Sequence, residues 1–202
     1  MANIGFIQHR LGRTDGVSLE VAKIRVALER NGHRVHSCAG NEDVPGGQYI
    51  PELYPFHPVT RRILLNATRE LRDDATPEAL MADVRAHAER IKSGFVHFMR
   101  DNRLDLVFVH DLLSVGYNLA GMLALVEAIG ETGVRTVCHD HDVWWEDSGE
   151  VYPACPEWSR STRSTRRHRP RARRPVLPAG HPHPGPHGRG ARDRRRRQLE
   201  PA

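Results

Sequence analysis

The chain has 202 residues, a formal net charge of +5 at pH 7 and three cysteines. The cysteines are far apart and form no C-x-x-C pair, which argues against a zinc ribbon and against a disulfide framework. The N-terminal stretch MANIGFIQHR has too short an apolar run for a signal peptide, and nowhere do 18 apolar residues follow one another. A reducing, cytoplasmic setting is therefore expected.

The average charge conceals two different compositions. Residues 159–202 contain 14 Arg, no Lys and two acidic residues, a net charge of +12, whereas residues 1–158 carry a net charge of −7. We expect residues 1–157 to form one folded domain. Residues 158–202 are expected to form a disordered, basic Arg/Pro-rich tail, because such a segment is too polar and too charged to fold alone.

Strand-like and helix-like segments alternate along the first part of the chain. Short apolar runs predict strands at residues 3–8, 33–38, 104–110 and 134–138. Amphipathic stripes predict a helix capped by Ser18, followed by helices at residues 61–71, 77–102 and 118–130. Residues 39–62, rich in Gly, Pro and aromatic residues, are expected to be a long irregular segment. The pattern predicts a Rossmann-like α/β domain, an open parallel sheet with helices on both faces.

Polar clusters follow three of these strands: RLGRTDG, HDLLS and HDHDVWWED. Because ligands of open parallel sheets bind beyond the carboxyl ends of the strands, these clusters are expected to line one cleft. Gly12 and Gly16 in the first cluster precede a helix whose N-terminal N–H groups could accept phosphate oxygens. The loop has neither the G-x-G-x-x-G spacing nor a Walker sequence, so a purely conformational role for the glycines stays open.

The HDHD segment also raises the question of a metal. Alternation along a strand places His139 and His141 on one side, so a third ligand would have to come from elsewhere, with His110 as the candidate. No helical H-E-x-x-H spacing supports such a site, and no bound metal is expected. A metal-dependent hydrolase built on the three histidines remains an alternative, and so does simple local capping by these side chains.

The order and spacing of these motifs resemble the N-terminal half of a glycosyltransferase with the GT-B architecture, in the large retaining family four. The resemblance covers residues 3 to about 157. It is carried by four motifs, which are Asp15-Gly16-Val17-Ser18 at the glycine loop, Gly32-His33-Arg34-Val35 at the second strand, His110 after a middle strand, and His141-Asp142-Val143-Trp144 after the next.

The resemblance implies a role for each site residue. Gly16 and Asp15 would meet the donor diphosphate, and His141 and Asp142 would form the catalytic pair, with His141 against the transferred sugar. The remaining candidates would bind sugar on the acceptor side: His110, His139, Trp144, Trp145 and Glu146. The partners would be a nucleotide-sugar donor and a sugar or lipid-linked acceptor, with no metal and no other cofactor.

The chain departs from the resemblance where a second, nucleotide-binding domain would begin. In its place stands the Arg/Pro-rich tail, whose composition is typical of GC-rich DNA translated in a shifted frame. The chain alone is therefore expected to be inactive. Alternatively, the tail is a basic arm for nucleic acid, but it has no aromatic residue for base stacking and no specific nucleic-acid partner is expected. A peripheral contact with an anionic membrane stays open.

Overall fold

The computed structural model describes residues 1–44 and 47–143, which form a single sheet flanked by helices. The five strands are all parallel, in the order β3-β2-β1-β4-β5. They are β1 (Asn3–Gln8), β2 (Arg34–Ala39), β3 (Gln48–Tyr49), β4 (Leu106–His110) and β5 (Arg135–His139). The helices are α1 (Gly16–Arg30), α2 (Pro58–Thr68), α3 (Pro77–Asp101) and α4 (Leu119–Thr132), with a short 3-10 helix at Pro51–Leu53.

Successive residues of a strand point to opposite sides of the sheet, so each strand contributes side chains to both faces. Helices pack on both of these faces. Ile4 and Phe6 of β1 pack with Val21 of α1 on one face. Ile7 of β1 and Val107 of β4 pack on the other face with the apolar sides of α2, α3 and α4. The Rossmann-like α/β fold expected from the alternation is confirmed.

The start of α1 differs from the prediction that Ser18 caps this helix. The N-cap is Asp15, whose carboxylate accepts hydrogen bonds from the Ser18 backbone N–H at 2.9 Å and from the Ser18 hydroxyl at 3.0 Å. A carboxylate satisfies the orphan N–H groups of the first turn and also interacts favourably with the positive end of the helix dipole. Ser18 is consequently a buried donor inside the first turn.

The segment between β2 and α2 is less irregular than its composition suggests. It contributes the short edge strand β3 and a 3-10 helix, and α2 begins at Pro58, three residues before the predicted start. Proline suits this position, because the first residue of a helix needs no N–H partner and proline has a preset φ. Residues 45 and 46 of this segment lie outside the described residues.

None of the helices in the described part of the chain combines the length and the apolarity that a bilayer-spanning segment needs.

Gly40 is a position where the fold admits no side chain. A Cβ there would overlap the Tyr54 backbone nitrogen and lie 2.8 Å from the His9 carbonyl oxygen. Both are main-chain atoms that cannot swing aside, so we expect Gly40→Ala to lower the free energy of unfolding by at least about 2 kcal/mol. The matched control is Gly16→Ala, where a Cβ meets nothing within 4 Å and the change should stay within about 0.5 kcal/mol. Urea denaturation measures the free energy of unfolding of both variants. Equal losses of stability would show that the main-chain contacts of Gly40 do not exclude a side chain.

Candidate functional site at the carboxyl edge of the sheet

The carboxyl ends of the parallel strands meet at one edge of the sheet, and two cavities open there. One, of about 710 Å³, lies between the loops that follow β1 and β2 and is lined by Arg13, Asn41 and Asp43 among others. The second, of about 590 Å³, is lined by Tyr54, Phe56 and Tyr117 and is called here the aromatic cavity. Its volume is in the range of small-ligand sites.

Three histidine side chains gather at the ends of β4 and β5. The register pairs His110 with His139, and His141 lies two residues further on the same side. The ring centroids are 4.8 Å apart for His110 and His139, 5.5 Å for His110 and His141, and 4.4 Å for His139 and His141. His110 Nδ1 and His141 Nε2 are 3.2 Å apart and share a hydrogen bond. The expectation that His139 and His141 share one side is confirmed.

Asp111 holds the chain that carries His141. Its Oδ1 accepts the His141 backbone N–H at 2.6 Å and the Asp142 N–H at 3.3 Å. Asp111 itself has φ +55°, in the left-handed region, and is 5% exposed. The buried carboxylate thus fixes the backbone of both residues predicted as the catalytic pair.

His110 is the fixed member of the histidine cluster. It is fully buried and its ring stacks on Phe6 with centroids 5.8 Å apart. Burial, followed by the neighbouring imidazoles of His139 and His141, lowers the pKa of His110 to about 4. His110 is therefore neutral at physiological pH and keeps a lone pair on one ring nitrogen.

The glycine loop approaches the same edge. Arg10 Nε lies 3.5 Å from Asp15 Oδ2, and Arg10, Asp15 and Val17 all line the aromatic cavity. Gly16 stands between the last two as the first residue of α1, with open space where a side chain would be. Asp111 and Asp142 line the same cavity.

Aromatic and cationic side chains complete the aromatic cavity. Phe56 is 65% exposed and packs edge-on to Tyr54, with centroids 5.5 Å apart. Arg61 of α2 and Arg69, the C-cap of that helix, also line the cavity. The combination offers flat apolar faces, carboxylates and guanidinium groups within one hollow.

His9 belongs to this site although the sequence analysis did not single it out. It directly follows β1, is 6% exposed, and its ring lies 6.3 Å from that of Tyr117. Its Nδ1 is 3.1 Å from the Leu53 carbonyl oxygen, which can only accept, so Nδ1 carries the proton and Nε2 a lone pair. Within the described residues Nε2 has no partner, and His9 lines the aromatic cavity. The only sequence signal was its position at the end of a strand.

The structure brings together most, not all, of the residues singled out from the sequence. His110, His139 and His141 form one cluster, and Asp15 and Asp142 line one cavity. Trp144, Trp145 and Glu146 lie outside the described residues, as does the tail from residue 158.

The chain is similar in sequence to two mannosylglucosylglycerate synthases. Over 143 residues the chain is 27% identical to the mannosylglucosylglycerate synthase of Petrotoga mobilis and 28% identical to that of Thermotoga maritima. Each match covers 71% of this chain and 32% of the relative, so the chain spans about a third of the length of the curated relatives it matches.

The other comparisons add less. No protein-family model matches the chain. Among solved structures, the glycosyltransferase SsfS6 of Streptomyces sp. SF2575 superposes with a TM-score of 0.40 at 14% identity, covering 69% of this chain and 39% of that one.

Replacing Asp111 tests how the His141 segment is held. We expect Asp111→Ala to lower the free energy of unfolding by at least about 3 kcal/mol, because two hydrogen bonds to a carboxylate are lost and alanine tolerates a left-handed backbone less well than aspartate does. Asp111→Asn keeps an oxygen acceptor, and asparagine adopts the left-handed conformation readily. This variant should therefore lose about half as much free energy of unfolding as the alanine variant. Hydrogen exchange at the His141 amide should accelerate in the alanine variant. Unchanged exchange would show that Asp111 does not hold this segment.

The pH dependence of stability tests the burial of His9. Burial lowers the pKa of His9 below its ordinary 6.5, so the unfolded chain takes up the proton first. The stabilisation is fully present above pH 6.5 and is lost as the pH falls below it. His9→Asn keeps a donor for the Leu53 carbonyl and removes the titration. Its free energy of unfolding should therefore fall less steeply between about pH 7 and pH 5.

The slope of the free energy of unfolding against pH should diminish in His9→Asn without vanishing. Burial also lowers the pKa of His36 and His87, which therefore contribute to the same slope. The control is His97→Asn on the exposed side of α3, which makes the same replacement at a position without the Leu53 carbonyl contact. Identical slopes for His9→Asn and the wild type would refute the assignment.

Proposed function

We propose that residues 1–157 are the acceptor-side domain of a retaining GT-B glycosyltransferase of family four. The complete enzyme would transfer a sugar from a nucleotide-sugar to a sugar or lipid-linked acceptor in the cytoplasm. The observation that carries the proposal is the aromatic cavity, because one hollow joins Asp15 of the glycine loop to Asp142 after β5. The related mannosylglucosylglycerate synthases support the same class of reaction.

The donor would lie with its diphosphate at the glycine loop. Gly16 begins α1 and leaves open space in front of the helix, whose N-terminal N–H groups and dipole favour an anion. Asp15 already occupies part of this first turn as its cap, and Arg10 is paired with it. In this proposal Asp15 shapes the turn and Arg10 supplies positive charge toward the diphosphate.

The transferred sugar would meet the segment held by Asp111. His141 would contact the donor sugar, and Asp142 would stand on the acceptor side of the anomeric carbon. Transfer develops oxocarbenium-like positive charge at that carbon, which fixed carboxylates and the leaving diphosphate stabilise. Asp111 makes this effective, because its hydrogen bonds set the backbone of both residues before substrate arrives.

The acceptor would occupy the aromatic cavity. Phe56 and Tyr117 present exposed ring faces, which suit the apolar faces of a sugar. The unpartnered lone pair on His9 Nε2 would accept a hydrogen bond from a hydroxyl group. His110 and His139 would hold the His141 ring in position through their contacts with it. Trp144, Trp145 and Glu146 would extend the acceptor side.

The chain by itself is proposed to bind sugar without transferring it. The match to the relatives covers 32% of their length, and the proposal places the donor's nucleotide on a second domain. Purified chain incubated with nucleotide-sugars and glycoside acceptors should give no product. Measurable turnover would overturn the inactivity of the chain and leave the class of reaction standing.

Sugar binding tests the site itself. Saturation-transfer NMR with simple glycosides should show binding, and the affinity should fall by roughly 5-fold in Phe56→Ala, since one aromatic contact contributes on the order of 1 kcal/mol. Phe56 is mostly exposed, so this change should leave the fold intact. The control is His97→Ala, far along α3 and exposed, which should bind as the wild type does. Equal binding by Phe56→Ala would remove the aromatic cavity from the proposal.

A further inference from the structure

We propose that His110, His139 and His141 form a three-nitrogen binding site for a divalent transition metal of the zinc class. The proposal concerns metal binding alone and does not rest on the proposed transferase function. It goes against the expectation from the sequence that no metal is bound.

The spacing of the ring nitrogens favours a shared ion. Two nitrogens that bind one tetrahedral zinc at about 2.0–2.1 Å lie roughly 3.3 Å apart. His110 Nδ1 and His141 Nε2 are already 3.2 Å apart, and one ligand atom of each of the three histidines lies within 4.8 Å of the others. The third nitrogen needs to close by about 1.5 Å at most to meet that spacing.

The burial of the three rings suits such closure. His110 is fully buried and stacked on Phe6, so it provides one fixed ligand. His139 is half-buried and His141 is exposed, so both rings retain freedom to turn toward it. A rigid ligand on β4 with two adjustable ligands on and after β5 allows the geometry of the ion to be reached without moving the sheet.

The hydrogen bonding of the cluster leaves ligand capacity unused. Within the described residues the three rings share one hydrogen bond, between His110 and His141. Asp111, the residue after His110, accepts two backbone N–H groups on its Oδ1. One ion would engage all three lone pairs, whereas the single hydrogen bond engages two rings.

The chemistry of the donors selects the class of ion. Neutral imidazole is a ligand for zinc, copper and nickel and a poor one for magnesium or calcium. Three protein nitrogens leave a fourth position for water or another ligand.

The test uses the full chain, purified without an affinity tag, and Zn²⁺ alone as the probe. The tail carries histidines of its own, so alanine replaces them in a background chain: His168, His181, His183 and His187. We expect this background to bind one zinc per chain by isothermal titration. His139→Ala and His141→Ala should each weaken binding more than ~10-fold, since even outer-shell partners of a metal site contribute that much.

The control in the same background is His97→Ala, a histidine outside the cluster, which should leave affinity unchanged. Circular dichroism confirms folding, and the partly exposed positions of His139 and His141 make misfolding no obstacle. Co²⁺ as a stand-in should give visible absorption that disappears in His139→Ala. Absence of binding at micromolar zinc, or stoichiometric binding that survives the double His139→Ala/His141→Ala change, overturns the proposal. Neither outcome bears on sugar transfer, because no sugar is present.

Discussion

The parallel pairing of β4 with β5 is the constraint on which the candidate site depends. It sets His110 directly beside His139, and the two-residue period of a strand sends His141 to the same side. A slip of one residue in this register would turn His139 and His141 to the other face and dissolve the cluster. The register is secured by the apolar side chains on both faces of β4, with Val107 buried on one and Phe108 packed on the other.

Asp111 supplies the second constraint. Its left-handed backbone conformation is strained, and the energy of its hydrogen bonds offsets that strain. A left-handed conformation outside glycine costs on the order of 1–3 kcal/mol. The buried carboxylate accepts two backbone N–H groups, and hydrogen bonds to a charged group contribute roughly 1.5–3 kcal/mol each. The gain therefore equals or exceeds the strain. The conformation turns the chain sharply after β4, so that the carboxylate meets the segment arriving from β5.

The sequence was sufficient for what depends on local pattern and insufficient for what depends on distant contacts. Apolar runs and helical stripes located every strand except the two-residue β3, and they predicted the faces of His139 and His141. Ser18 was predicted as the cap of α1 because serine is a good capping residue, but Asp15, which is equally suited, is the residue used. Which of the two is used depends on where the loop turns into the helix, and local propensity does not decide that. His9 was missed because its significance comes from the Leu53 carbonyl, 44 residues away, which fixes its tautomer.

The histidine cluster allows two uses of His141 that exclude each other. An imidazole nitrogen that binds a metal ion has no lone pair left for a sugar hydroxyl, so the same side chain serves one ligand at a time. Both uses need the properties that the fold imposes here. The backbone of His141 must be held in place, which Asp111 does by accepting its N–H, and the neighbouring Asp142 lines the aromatic cavity. A metal bound at the cluster would therefore oppose sugar binding by His141 and leave the ring faces of Phe56 and Tyr117 available. The proposed sugar site and the proposed metal site would share His141 and its support by Asp111, so that occupancy of one would oppose occupancy of the other.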